Sequence, residues 1–195
     1  HPENVYPQIV QTYNNIGVTY THQSLFEKAE TIFRQALQIS IQELGEDRLV
    51  TGAVYNNLAN MKQQHGDYDQ AITYFQKALN IFRQHPDPKL ENLPTTYTNL
   101  GVAHSLSGRY DAAINYFLQT IMMYRKKMGS SHPLLAMNYI NLGKAYRGKN
   151  DLKQAAFYFE QAYTIFDKLW GPNNLYTRQA KRELRQLISN QPSPR

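Results

Sequence analysis

The sequence contains no cysteine among its 195 residues. Disulfide bonds, thiolate metal sites and a cysteine nucleophile are therefore excluded. Long apolar runs are missing too, since no stretch approaches the roughly 18 consecutive apolar residues of a membrane-spanning helix. No secretory leader is visible. From these absences we expect no membrane partner and a cytoplasmic location.

Patterns typical of catalysis are also scarce. The six histidines include no pair spaced three or four residues apart, so neither a zinc site nor a di-metal site is expected. No Gly-x-Ser-x-Gly nucleophile elbow occurs. The segment from Gly143 to Asn150 imitates a phosphate loop, but Asn150 stands where Ser or Thr is required and no strand precedes it. We therefore expect no enzyme activity, no cofactor and no metal ion.

Charge is distributed unevenly along the chain, whose formal net charge is +6. Residues 1–97 contain 7 basic and 10 acidic side chains, a balance of −3, whereas residues 98–195 contain 14 and 5, a balance of +9. This excess predicts an acidic partner near the C-terminal end, and a basic surface without a specific role is the alternative. The 15 tyrosines among basic residues would suit RNA. Most of them lie at packing positions, so nucleic acid is not an expected partner.

What the sequence does contain is one pattern that occurs four times at intervals of 42 residues. Each copy starts with Tyr, followed by Asn two positions later and then by Ile or Leu and a small residue. The copies begin at Tyr13, Tyr55, Tyr97 and Tyr139. A second signature of Ala, Phe and a small residue follows at a fixed distance, centred on Phe33, Phe75, Phe117 and Phe159. Four copies in phase indicate a repeat protein whose units bury their apolar faces against one another.

Each repeat is predicted to consist of two antiparallel helices. Apolar residues recur at steps of three and four, and all nine prolines lie outside the signatures, where they mark joints. Ser24 and Glu27 form a capping-box pattern at the start of one second helix. The first helices are predicted at residues 7–22, 48–65, 94–107 and 133–147. The second helices are predicted at residues 25–44, 67–84, 109–128 and 151–170.

We predict a single all-α array over residues 5–188. Its repeats are expected at about residues 5–45, 46–87, 88–129 and 130–171. Segment 174–188 maps onto a first helix when it is shifted by 42 residues, and one of its faces is apolar while the other is polar. That pattern predicts a C-terminal capping helix. Residues 189–195 are expected to form a disordered tail.

The order Tyr-x-x-Leu-Gly, then Gly-Asp-Tyr-x-x-Ala-x-x-x-Phe-x-x-Ala, is clearest between Tyr55 and Ala78 and resembles the tetratricopeptide repeat. The 42-residue period is similar to the long repeats of kinesin light chains. Lys62 and His104 depart from the pattern, because other repeats have an aromatic residue there. The resemblance implies a right-handed superhelical α-solenoid of four helical hairpins plus a capping helix. It also implies that the first helices line a concave, peptide-binding groove.

Asparagine recurs at one position of the predicted first helices, at Asn15, Asn57, Asn99 and Asn141. Asn is a mediocre helix former, so four occurrences in phase suggest a role beyond helix formation. A carboxamide offers donors and an acceptor, and it can bind a peptide main chain without reading its sequence. The series looks like the asparagine ladder of O-GlcNAc transferase repeats, which holds extended peptides in this way. The alternative is that each Asn ties adjacent helices together.

Neighbouring residues on the same face change from uncharged to basic along the chain. The predicted groove comprises Asn14, Asn15, Val18, Asn56, Asn57, Asn60, Gln63, Thr98, Asn99, Val102, Asn141, Lys144 and Arg147. Such a groove suits an extended segment with a neutral stretch and an acidic end. Lys144 and Arg147 are expected to receive a carboxylate of the partner, and the alternative is that both are ordinary solvated side chains.

These patterns favour a non-enzymatic adaptor that binds an extended or short helical peptide segment of another protein. Two alternatives stay open at this point. An architectural module would self-associate through its convex or terminal surfaces, with the groove idle or filled by its own tail. A targeting arm would belong to a larger enzyme or regulator.

Overall fold

A computed structural model of the chain describes residues 5–85 and 92–189. These residues form nine α-helices and no strand, which confirms the all-α prediction. The helices are α1 (Tyr6–His22), α2 (Phe26–Ile39), α3 (Leu49–His65), α4 (Tyr68–Gln84), α5 (Asn92–Leu106), α6 (Tyr110–Met128), α7 (Pro133–Gly148), α8 (Leu152–Trp170) and α9 (Leu175–Ser189). Helix α2 continues into a π-helical turn at Ser40–Leu44. Every predicted helix is present, and the ends differ from prediction by at most two residues.

The turn inside each hairpin contains one residue in the left-handed region of backbone space. These residues lie 42 positions apart: Ser24 with φ 59°, Gly66 with φ 91°, Gly108 with φ 76° and Asn150 with φ 67°. Glycine and asparagine adopt this conformation at little cost. The predicted capping box at Ser24 is wrong, because helix α2 begins at Phe26 after an N-cap residue, Leu25, that makes no side-chain cap bond.

Small residues allow the two helices of a hairpin to approach closely. A Cβ added to Gly17 would lie 2.6 Å from Cε1 of Phe33, and one added to Gly143 would lie 2.7 Å from Cε1 of Phe159. Both rings are fully buried. Each glycine therefore leaves the space that the aromatic ring of the second helix occupies.

The chain forms two compact units, His1–Ala103 and His104–Arg195, whose boundary falls within α5. In the first unit, α1 pairs with α2 and α3 with α4, and α3 packs against both helices of the preceding hairpin. In the second unit, α7 pairs with α8, α6 packs against α7, and α9 packs against α8. The single array over residues 5–188 stays a prediction.

Helix α9 packs against α8 through a narrow apolar stripe. Thr177, Ala180 and Leu187 are buried on that stripe, and most of the remaining α9 side chains up to Leu187 are exposed. This is the amphipathic pattern predicted for segment 174–188. Of the predicted tail, only Ser189 is described, as the last residue of α9, and residues 190–195 lie outside the described part of the chain.

Candidate peptide-binding site

A polar face of α3 carries three of the predicted groove residues. Asn56, Asn60 and Gln63 stand at positions i, i+4 and i+7, so they share one side of the helix. All three are half-buried. Oε1 of Gln63 is buried and has no hydrogen-bond partner in the part of the chain that the structure describes. Asn60 of this face is partly exposed and makes no hydrogen bond to a described residue.

Asparagines also connect the first two hairpins. Nδ2 of Asn57 donates to Oδ1 of Asn14 over 3.2 Å, from α3 to α1. Asn14 is only 4% exposed, so this bond is shielded from water. Asn15 is exposed, and its Oδ1 accepts from Nε2 of Gln11 at 2.9 Å. Asn14 and Asn57 thus tie adjacent helices together, which is the alternative role raised for the series.

Helix α5 contributes a second polar strip in the first unit. Oγ1 of Thr96 donates to the backbone carbonyl of Asn92 at 2.7 Å and lies 3.3 Å from Oδ1 of Asn56. Sequence reasoning missed Thr96, because the predicted groove ran through Thr98, whose hydroxyl donates to the carbonyl of Pro94. Asn99 is half-buried, and neither Asn99 nor Asn60 makes a hydrogen bond within residues 5–85 and 92–189. These two carboxamides keep their full hydrogen-bonding capacity.

The predicted apolar groove residues are partly covered. Val18 and Val102 are both half-buried. Val18 packs against the core formed by α1, α2 and α3, which includes Phe33 and Leu58. In the first unit the predicted groove therefore combines half-buried apolar side chains with carboxamides whose exposure ranges from buried, at Asn14, to exposed, at Asn15.

Asn141, Lys144 and Arg147 lie on α7 in the second unit, spaced three residues apart. Nη1 of Arg147 lies 2.5 Å from Oε2 of Glu183, and Nζ of Lys144 lies 3.8 Å from Oε1 of the same carboxylate. Glu183 belongs to α9, and its side chain is 14% exposed. Asn141 is half-buried and makes no hydrogen bond to a described residue. The two cations expected to meet a partner's carboxylate thus contact one from their own chain.

Sequence reasoning missed Glu183, although a signal for it existed. Shifting α9 by 42 residues places Glu183 at the position of Asn141, as a fifth member of the asparagine series. The carboxylate of Glu183 lies against Lys144 and Arg147, which follow Asn141 by three and six residues on α7.

Lys62, which departs from the repeat pattern, forms an ion pair between hairpins. Its side chain is 8% exposed, and Nζ lies 2.8 Å from Oε2 of Glu30 in α2. Arg34 binds the other oxygen of Glu30 at 2.7 Å. Burial raises the pKa of Glu30, but hydrogen bonds from Lys62 and Arg34 outweigh it, and the net pKa lies below its ordinary value. This cluster holds α3 against α2.

His104, the other departure, packs as an aromatic ring. Its ring lies 5.3 Å from that of Tyr116 at an interplanar angle of 16°. Tyr146 stacks on Tyr158 in the same way, at 5.4 Å and 9°. Burial lowers the pKa of His104 below its ordinary value of 6.5, and the positive charge of Arg109 lowers it further. A neutral His104 therefore serves the packing role of Tyr146.

Neither a cluster of metal-ligand residues nor a membrane-spanning helix is found in the described residues. Within residues 5–85 and 92–189, no three His, Cys, Asp or Glu side chains are grouped as metal ligands. None of the described helices is long and apolar enough to cross a membrane. Gly143, the first residue of the phosphate-loop-like segment, is buried inside α7.

Paired helices repeated at a fixed period of 42 residues define a helical-repeat protein. The sequence matches a family model described as tetratricopeptide repeat over residues 8–84, 50–126 and 92–168. The chain belongs to the tetratricopeptide repeat family, and it is a protein-interaction module. A search of curated protein sequences finds no match.

Solved structures show the same fold at low sequence identity. A kinesin-light-chain protein of Podosopora anserina with nearly identical TPR-like repeats is 17% identical, with a TM-score of 0.82 over 94% of this chain and 87% of that chain. BtubC (BKLC) from P. vanneervenii is 21% identical, with a TM-score of 0.75 over 97% and 85%. Aspartyl phosphate phosphatase F from Bacillus subtilis is 17% identical, with a TM-score of 0.80 over 94% and 46%. The resemblance to tetratricopeptide repeats of the kinesin-light-chain type is confirmed.

Proposed function

We propose that this chain is a non-enzymatic adaptor that binds an extended or short helical peptide segment of a partner protein through its first helices. In the first unit the carboxamides of Asn60 and Asn99 bind the peptide main chain. In the second unit Asn141 offers the same group, and Lys144 and Arg147 bind an acidic end. The partner is therefore a protein. Main-chain contacts give little sequence specificity at the neutral stretch, and charge gives the specificity at the acidic end.

The observation that carries this proposal is that the half-buried carboxamides of Asn60 and Asn99 make no hydrogen bond to a described residue. A peptide main chain brings one N–H and one C=O per residue. Each carboxamide can accept from one peptide N–H and donate to one peptide C=O. Asn14 and Asn57 have a structural role, so the binding series is shorter than the sequence suggested.

At the basic end of the site, the carboxylate of Glu183 competes with the carboxylate of a partner for Lys144 and Arg147. Glu183 occupies one side of Lys144 and Arg147, whose side chains are still 40% and 37% exposed. An ammonium has three donors and a guanidinium has five, so each cation can bind a second carboxylate. A partner's acidic residue adds to Glu183 or displaces it.

An array of extended 15-residue peptides, probed with the labelled protein, tests the proposal. The double variant Asn60→Ala/Asn99→Ala should lose about tenfold or more in affinity for peptides that the wild type captures, since two hydrogen-bonding groups are removed. The matched control is Asn80→Ala/Asn115→Ala, which makes the same change at exposed positions of second helices. Equal losses in the two variants, or no loss in either, would overturn the proposal.

A further inference from the structure

Helix α9 presents one continuous cationic side to solvent. Arg178, Lys181, Arg182 and Arg185 stand at positions i, i+3, i+4 and i+7, which share one side of a helix. All four are exposed. We call these four residues the α9 basic face.

The same positions are buried in the preceding first helix. A shift of 42 residues aligns the α9 basic face with Ala136, Tyr139, Ile140 and Gly143 of α7. All four of those residues are buried. Helix α8 covers part of that side of α7, where Tyr139 stacks on Tyr158 at 5.8 Å. The α9 basic face is thus the side of a first helix that other protein atoms normally cover.

The positive charges on this face are not balanced within the described residues. None of the four side chains has an ion-pair partner there. Glu183 is the only acidic residue of α9 and is bound to Arg147 and Lys144. Residues 184–195 contain no Asp or Glu. Lys181 lies over the ring of Tyr163, 5.8 Å from its centroid.

All four charges of the α9 basic face are positive, although solubility alone would be served equally well by mixed positive and negative charges. Arg178 and Arg182, like Lys181 and Arg185, are like-charge pairs four residues apart, and each such pair destabilises a helix by about 0.2–0.5 kcal/mol. Mixed charges would give the same solubility without that cost. The uniform sign therefore indicates a ligand of opposite charge.

We propose that the α9 basic face docks an acidic segment of a partner protein. The face extends over about 10 Å, since seven residues rise about 1.5 Å each. Carboxylates on alternate residues of an extended segment lie about 7 Å apart, so three or four residues cover it. Arg178 and Arg182 line one cavity with Arg147 and Glu183, so the α9 basic face adjoins the basic end of the groove. It goes beyond the proposed function because it continues to Lys181 and Arg185, which lie outside that cavity.

Arg185 determines how the partner approaches. In α7 the same position is Gly143, where even a Cβ would lie 2.7 Å from Cε1 of Phe159. A closely packed aromatic helix like α8 is thus excluded from α9. Contact is made instead at the ends of long basic side chains, which suits carboxylates.

Other anionic ligands fit the face less well. Binding of single-stranded nucleic acid uses aromatic rings as stacking platforms, and none of the four positions is aromatic. A membrane surface favours bulky apolar side chains that insert beside the cations. The exposed rings of Trp170 and Tyr176 instead pack against Phe166, at 5.3 and 5.7 Å from its ring centroid.

Fluorescence anisotropy with a fluorescein-labelled octaglutamate peptide tests this proposal on the full chain. The variant Arg178→Gln/Arg182→Gln/Arg185→Gln should bind about tenfold more weakly than the wild type, and binding should weaken with added salt. The matched control, Lys126→Gln/Lys153→Gln/Lys168→Gln, removes the same charge from exposed positions of α6 and α8. It should change the affinity by less than about twofold, since screened distant charges contribute little.

Equal loss in the two variants would mean that net charge alone attracts the peptide, and the proposal would be wrong. The proposal would also be wrong if the wild type does not bind octaglutamate but binds a DNA duplex or phosphatidylserine vesicles, and the α9 variant loses that binding. Sedimentation that shows wild-type self-association, abolished in the α9 variant, would identify a second copy as the occupant and would also overturn it. Loss of octaglutamate binding in Lys144→Gln/Arg147→Gln but not in the α9 variant would place the acidic segment in the groove, and it would also overturn the proposal.

Discussion

Replacing Glu183 with Gln tests the contact between α9 and the basic end of the predicted groove. The change removes the charge that lies 2.5 Å from Nη1 of Arg147 and 3.8 Å from Nζ of Lys144. A hydrogen bond to a charged group contributes about 1.5–3 kcal/mol when it is well shielded. Arg147 and Lys144 are 37% and 40% exposed, so solvent screening reduces the expected loss to about 1 kcal/mol.

A double-mutant cycle measures this energy directly. The four proteins are the wild type, Glu183→Gln, Arg147→Gln and the double variant, each unfolded in urea at low and high salt. Trp170 is the only tryptophan of the chain and contacts the ring of Tyr176 at the start of α9, so its fluorescence follows the second unit. We expect a coupling energy of about 1 kcal/mol that shrinks at high salt.

A coupling energy below about 0.3 kcal/mol would mean that the ion pair does not form in solution. The same Glu183→Gln variant carries a functional consequence. Because it frees Lys144 and Arg147, peptides with an acidic end should bind it more tightly than they bind the wild type. Unchanged affinity would show that these two cations receive no partner carboxylate.

Three further predictions concern stability. Gly143→Ala should lower the free energy of unfolding by about 1 kcal/mol, because overpacking against Phe159 costs about 1–3 kcal/mol and Ala restores about 1 kcal/mol of helix propensity. In thermal unfolding, the double variant Gly143→Ala/Phe159→Leu should lose less stability than the sum of the losses in the two single variants. The buried neutral His104 has a lowered pKa, so wild-type stability should fall as the pH drops below 6.5, whereas His104→Tyr should remove that loss between pH 7.5 and 5.5 in thermal melts; an unchanged slope would contradict the burial argument. The pKa of Glu30 is lowered as well, so its contribution is present above its ordinary value of 4.5 and is lost as the pH falls through the lower folded value. Glu30→Gln should therefore cost about 1 kcal/mol at pH 7 and less at pH 3, and an equal cost at both would rule out the charge as the cause.

The helices were predictable because the repeat supplies four independent readings of the same boundaries. The error at Ser24 has a local cause. In every hairpin the residue with left-handed backbone comes one position before the N-cap; these residues are Ser24, Gly66, Gly108 and Asn150. The N-cap side chains that do form a cap are Asp67 and Asp151, which accept from the backbone N–H of Gln70 and Gln154. In the first repeat that position is Leu25, and the serine beside it imitated a cap.

The site was less predictable, because it depends on contacts between different helices. Periodicity places Asn15, Asn57, Asn99 and Asn141 at one phase, but it does not show that Asn57 binds Asn14 or that Asn99 makes no hydrogen bond to a described residue. The pairing of Lys62 with Glu30 likewise depends on the distance between α2 and α3. Departures from the repeat were the most informative residues, since Lys62 and Glu183 both form ion pairs between helices.

Arg185 and Lys181 also determine where such a chain can be lengthened. A hairpin appended after α9 would have to bury two cations where the other repeats place Tyr and a small residue, which costs several kcal/mol without partners. A unit of 42 residues inserted before Gly171 meets no such barrier, because each of its surfaces would contact the same kinds of neighbour as before. Duplication of a repeat unit is therefore tolerated upstream of Gly171, whereas a further hairpin directly after α9 is not.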